Sequence, residues 1–173
     1  MNAPKKIDVD LVKRLLNYDA SVGGSCLIWK TSKGSMKKGS VAGIKTNRGY
    51  WHIKINEKSY LAHRLVWAIF NNIDPEHHID HINGDKSDSR IENLRLTPNN
   101  HVDNGQNMKK RSDNSSGLIG VSWHKATSKW VAQIKIHNKK LYLGVYDTVE
   151  KAHNAYLEAK KKYHSFQPTL REE

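Results

Sequence analysis

Nine consecutive residues hold most of the groups able to do chemistry: His77-His78-Ile79-Asp80-His81-Ile82-Asn83-Gly84-Asp85. Asn93 follows thirteen residues after Asp80, and His101 stands in an asparagine-rich segment just beyond. A carboxylate (Asp80) and an imidazole (His101) can share one divalent ion, while the adjacent His81 takes a proton from water. A structural zinc site is the other metal reading. Cys26 is the single cysteine, so thiolate ligation is excluded, but a site of His and Asp is not. His77 lies outside the ordered set and reads as a surface polar residue.

These groups need elements to hold them. His78 to His81 reads as a short strand ending at the Asn83-Gly84 turn, and Ile91 to Leu96 as a second strand of alternating apolar residues. Pro98 suits the first turn of a helix that would carry His101 inward. Strand, loop, strand, helix is a ββα unit.

On these residues the chain resembles the HNH endonucleases, and more closely their phage-encoded homing-type branch. The matching stretches are Gly49-Tyr50, Tyr60-Leu61-Ala62-His63-Arg64-Leu65-Val66-Trp67, Asp80-His81, Gly84-Asp85, Asn93-Leu94-Arg95 and His101 to Asn104. The resemblance implies that Asp80 and His101 bind metal and that His81 is the general base. It also implies that the Asn93 amide ties the loop and orients that base. Many relatives carry asparagine at the helix position, so Asn99, Asn100 and Asn104 stand as alternatives to His101. The His63-Arg64 pair is a regular feature of the family, and both His63 and Arg64 are expected to face the site or a phosphate.

Composition points the same way. The chain has 173 residues, room for two small domains, and 29 basic against 17 acidic residues give it a net charge of +12. Residues 1–104 hold 16 basic and 11 acidic residues, and residues 105–173 hold 13 and 6, so both halves are basic. Such a surplus fits a polyanion, most commonly nucleic acid. No apolar run approaches the roughly 18 residues of a membrane span, and no apolar signal-peptide core opens the chain. With one cysteine, a soluble protein of a reducing, cytoplasmic compartment is expected, and the resemblance implies a phage-infected bacterial host.

Along the chain, Val9, Leu11, Val12, Leu15 and Leu16 recur at helical spacing behind Asp8 and Asp10. Leu27-Ile28-Trp29 reads as a buried strand. The stretch from Lys30 to Arg48 is either a solvated loop or a phosphate-contacting arm. Trp51 to Leu61 reads as a hairpin turning at Asn56-Glu57, and Ala62 to Phe70 as a helix. Lys109, Lys110 and Arg111 then open a run without apolar residues up to Ser116, a basic linker able to track a phosphate backbone.

Beyond it, Ile119 to His124, Lys129 to His137 and Lys140 to Tyr146 read as three strands. A helix follows, with Asp147 as its expected cap and Glu150 completing a capping box. Gly120-Val121, Lys129-Trp130-Val131-Ala132, Ile134-Lys135, Tyr142-Leu143-Gly144, Tyr146-Asp147-Thr148 and the alanine-rich helix resemble the plant APETALA and ethylene-response-factor DNA-binding domain. Strict alternation turns Val121, Trp123, Trp130, Ile134, Ile136, Leu141, Leu143 and Val145 toward the helix. It leaves Ser122, His124, Gln133, Lys135, Lys140 and Tyr142 on the open face. The resemblance implies that this face enters the DNA major groove. Several plant arginine positions are Ser122, His124 and Lys135 here, so plant target specificity does not carry over.

The expectation is an α+β chain: a ββα-metal nuclease module with N-terminal helix and hairpin over 1–107, a basic linker over 108–116, and a small three-stranded antiparallel sheet packed on one helix over 117–173. Its expected activity is metal-dependent hydrolysis of phosphodiester bonds at a preferred site in double-stranded DNA, as in a homing endonuclease. One divalent cation per site is expected, magnesium first and manganese as the alternative. Double-stranded DNA is the expected partner, with no membrane and no protein partner, and a monomeric state. The rival reading is a sequence-specific DNA-binding regulator whose nuclease site has decayed.

Overall fold

The computed structural model describes residues 5–34, 36–97, 106, 114–137, 139–167 and 170. The expected metal ligand His101, its asparagine alternatives, the helix expected from Pro98, and Lys109, Lys110 and Arg111 all lie outside the described residues. The chain divides into two compact units, Met1–Pro98 and Asn99–Glu173.

In the first unit, helix α1 (Val9–Leu15) starts where the Asp8 carboxylate accepts the Leu11 backbone N–H at 2.9 Å, satisfying one orphan donor of the first turn. Strand β1 (Leu16–Tyr18) pairs antiparallel with β2 (Leu27–Trp29). A second sheet has the order β3 (Ile44–Lys45), β4 (Trp51–Ile55), β5 (Lys58–Leu61). The β4–β5 hairpin turns through Asn56 and Glu57, both with positive φ, the backbone that matches strand twist in a two-residue turn. Helix α2 (Ala62–Asn71) follows without a break and ends at Asn72 in the left-handed conformation. Val12, Leu16, Leu27, Ile53, Leu65 and Val66 form the centre of a core that also takes in Leu94. Buried there, Cys26 has its thiol pushed up to about 11, so it stays protonated and inert.

The third element pair is β6 (His78–His81) against β7 (Leu94–Thr97), registered His78 with Thr97 through His81 with Leu94. The second strand is shorter than its apolar pattern predicts. Ile91–Asn93 winds as a 3-10 turn, because the Asn93 N–H donates to the Arg90 carbonyl and its side chain is committed to the preceding loop.

In the second unit, β8 (Val121–His124), β9 (Lys129–Ile136) and β10 (Lys139–Tyr146) form an antiparallel sheet with β9 in the middle, and α3 (Val149–Tyr163) packs on it. Val121, Ala132, Ile134, Ala152, Tyr156 and Ala159 are its buried apolar centre. A Cβ on Gly120 would overlap the Tyr156 ring, so only glycine allows that close approach. The cap differs from the expected one. Thr148, not Asp147, accepts the Lys151 N–H, and Asp147 pairs with Lys129 at 2.9 Å. Lys160, 2% exposed, donates to the Gln106 carbonyl at 2.9 Å, and the Gln106 side chain accepts from the Phe166 and Gln167 backbones. Gln106, expected within the module of 1–107, is therefore bonded within the second unit.

A register shift between Tyr142 and Gly144 corrects one expectation. Leu143 is an extra residue that packs toward α3, Gly144 pairs with Ala132, and Val145 pairs with Val131. Strict alternation is broken by one residue, so Val145 joins the open face. Gly144 sits at φ +132°, and the Tyr146 hydroxyl donates to the Leu143 carbonyl at 3.0 Å, fixing the bulge.

Candidate active site

Asp80 and His81 are the last two residues of β6, where alternation sends them to opposite faces. His81 is 4% exposed and enters a cluster of rings. Its centroid lies 4.8 Å from that of His63, edge to face at 82°, and 6.0 Å from that of Tyr50, while Tyr50 and His63 stand 5.6 Å apart. His63 comes from the first turn of α2 and Tyr50 from the residue before β4. Burial first, then the like charges of His81, Arg64 and His52, hold the His63 imidazole down at about 3, so it is neutral at ordinary pH. Burial, followed by the Asp80 carboxylate, raises the Tyr50 hydroxyl above its usual value. The Lys86 ammonium lies 5.2 Å above the Tyr50 ring and is exposed.

Asp80 faces Arg95, its cross-strand partner: Oδ2 accepts from Nε at 3.1 Å and from Nη2 at 2.9 Å. Its side chain is only 14% exposed, so this is a largely desolvated, charge-assisted pair. Among the described residues no three His, Cys, Asp or Glu side chains converge as a metal cage. The Asp80 carboxylate nevertheless offers one hard oxygen donor, which fits a magnesium-type ion, bound through one or two carboxylates and keeping several waters.

The loop between the strands is held by Asn93. Its Oδ1 accepts the Asn83 N–H at 2.9 Å, its Nδ2 donates to the Asp88 carbonyl at 2.9 Å, and its own carbonyl accepts the Ile82 N–H at 2.8 Å. The residue directly after His81 is thereby anchored to Asn93. Gly84 N–H donates to the His81 carbonyl, closing the turn. Within the loop, Asn83 Nδ2 donates to Asp88, whose carboxyl the Arg90 side chain holds below its ordinary value.

Arg64 goes elsewhere than expected. It is 7% exposed, and its guanidinium donates to the His77 carbonyl at 3.0 Å and the Pro75 carbonyl at 2.7 Å, with Asp74 at 3.5 Å. It fastens the segment that leads into β6. Of the His63-Arg64 pair expected at the site, His63 is the member that reaches it, and Tyr50 is the site neighbour that the sequence left without a role.

On the second unit, strand register puts His124 beside Lys129, Ser122 beside Val131 and Val145, Gln133 beside Tyr142, and Lys135 beside Lys140, all on the face opposite α3. Tyr142 is 62% exposed, and His124 Nδ1 is bonded to the Thr127 hydroxyl at 2.9 Å.

A family model described as HNH endonuclease matches residues 60–104, and one described as AP2 domain matches residues 116–165. The chain is also similar to Protein 3.8 of Escherichia phage T7, 34% identical over 84 residues that cover 48% of this chain and 68% of that protein. No solved structure matches. By these likenesses the chain belongs to the HNH endonuclease family, with an AP2 domain behind its HNH segment.

Proposed function

We propose that this protein is a metal-dependent endonuclease that hydrolyses phosphodiester bonds at a preferred site in double-stranded DNA, in the manner of a homing endonuclease. The observation that carries the reading is the Asp80-His81 step at the end of β6, with the following loop tied to Asn93. His81 takes the proton of the attacking water, and Asn93 keeps the backbone beside it in place. Asp80 holds a divalent cation, with His101 or a neighbouring asparagine as the second ligand. Such a cation, magnesium or manganese, supplies charge stabilisation at the phosphate and the leaving 3′ oxygen. Arg95 orients the Asp80 carboxylate from the opposite strand. Residues 117–173 read the site, and the cations of 108–116 follow the backbone.

One observation favours the second reading, a DNA-binding regulator with a decayed site: the Arg95 guanidinium already neutralises Asp80. Incubating supercoiled plasmid with the wild type and with His81→Ala, with magnesium and with EDTA, separates them. Nicking by the wild type in magnesium alone is the expected result. DNA binding without nicking under any divalent ion sinks the nuclease reading.

A further inference from the structure

The bulge in β10 builds an apolar step into an otherwise polar face. Counting across the three strands, the open face carries four rows: His124 with Lys129, then Ser122 with Val131 and Val145, then Gln133 with Tyr142, then Lys135 with Lys140. Val131 and Val145 are register partners, and neither belongs to the cores under α3. Val145 is 40% exposed, and it is on this face only because Leu143 is inserted ahead of it. Successive rows lie about 6.6–6.8 Å apart along the strands, roughly two base-pair steps of a duplex. Lys129, which is paired with Asp147, lies one row to one side of the valines, and Lys135 with Lys140 lies two rows to the other, so the surface carries the net positive charge that suits a nucleic-acid duplex. In the major groove the one apolar group on a base edge is the C5-methyl of thymine.

We infer that Val131 and Val145 form a thymine-reading step, a shallow apolar seat for the C5-methyl group at a fixed position of the preferred DNA site. The inference rests on the proposed role of residues 117–173 as the DNA reader. Gly144 and the Tyr146 hydroxyl act as positioning groups, because they hold the bulge that turns Val145 outward. The cations on either side fix the register on the phosphates and carry no sequence information themselves.

The test uses the full chain in EDTA, so that it is independent of cleavage. Duplexes selected from a random pool should share at least one fixed thymine. Replacing that thymine by deoxyuridine removes the methyl and nothing else, and should weaken binding about fourfold, the value of one buried methyl group. The double variant Val131→Ala with Val145→Ala should bind the two duplexes equally, and since both side chains lie outside the core its thermal unfolding should match the wild type. A selected site at which no thymine responds to deoxyuridine, or a double variant that keeps the wild-type ratio, overturns the inference and leaves the reader role standing. A chain that binds no duplex overturns the reader role and this inference together.

Discussion

His63 meets His81 edge to face, with ring centroids 4.8 Å apart and planes at 82°, and both side chains are almost wholly buried. A neutral ring whose edge or face abuts another fixes its rotation without competing for its proton. In the proposed reaction His81 must be aimed at a water, so the contact has a kinetic consequence. His63→Ala should lower kcat by on the order of tenfold or more while DNA affinity in EDTA stays near the wild-type value. His63→Phe keeps a flat ring and should recover much of the loss. Single-turnover cleavage with saturating enzyme measures this, and equal rates for wild type and His63→Ala count against a positioning role.

The same residue makes stability depend on pH. Its imidazole titrates near 3 in the folded chain and near 6.5 when unfolded, so the unfolded state binds more protons between these values. The stabilisation is complete above about 6.5 and drains away as pH falls toward 3. Urea unfolding at pH 7.5 and pH 4.5 should differ by roughly 2–3 kcal/mol on this account. His63→Phe, which has nothing to protonate, should remove that part of the difference. An unchanged pH dependence in the variant would assign the acid sensitivity to other groups.

Asn93 acts on the loop rather than on substrate. Asn93→Ala deletes the bonds to the Asn83 N–H and the Asp88 carbonyl, leaving two backbone groups to find new partners at about 1–3 kcal/mol each. The variant should unfold at lower denaturant and cleave slowly, yet stay more active than His81→Ala, because the base is loosened and not removed. A greater loss of rate than in His81→Ala at equal folding would give Asn93 a direct role at the metal or the substrate.

Much of this arrangement was legible from residue order, since the strand ending in Asp80-His81, the Asn83-Gly84 turn and the hairpin before α2 all follow from period-two patterns and turn residues. What escaped depends on long-range packing. Arg64 looks like a surface cation until the carbonyls of Pro75 and His77 are brought to it, ten and more residues away. A bulge leaves no mark in an alternating run such as Leu141 to Tyr146 beyond a glycine, so Val145 is assigned to the wrong face by counting alone. Asp147 and Thr148 are both good caps, and only the Lys129 ammonium decides between them. Lys160 is a buried cation on a helix whose last turn is otherwise solvated lysine, a role set by Gln106 far back in the chain.

The basic side chains divide into three kinds, and salt dependence can sort them. Lys109, Lys110 and Arg111 stand in a run with no apolar residue, so their contribution to binding is phosphate neutralisation and is blind to sequence. Replacing all three by alanine should weaken preferred and random duplexes alike, and flatten the slope of log affinity against log salt by up to about 2.7, near 0.9 for each phosphate no longer neutralised. Lys135 and His124 lie on the open face of the β8–β10 sheet, where base edges are within reach. Lys135→Ala or His124→Ala should cost the preferred duplex more than the random one, narrowing the ratio between them. Arg64 belongs to neither group, because its guanidinium is spent on the Pro75 and His77 carbonyls. Arg64→Met should lower the unfolding midpoint and leave the salt slope of the remaining folded protein unchanged. A reduced slope in Arg64→Met, measured by anisotropy titration at three or more salt concentrations, would mean that this side chain leaves its buried seat to meet a phosphate.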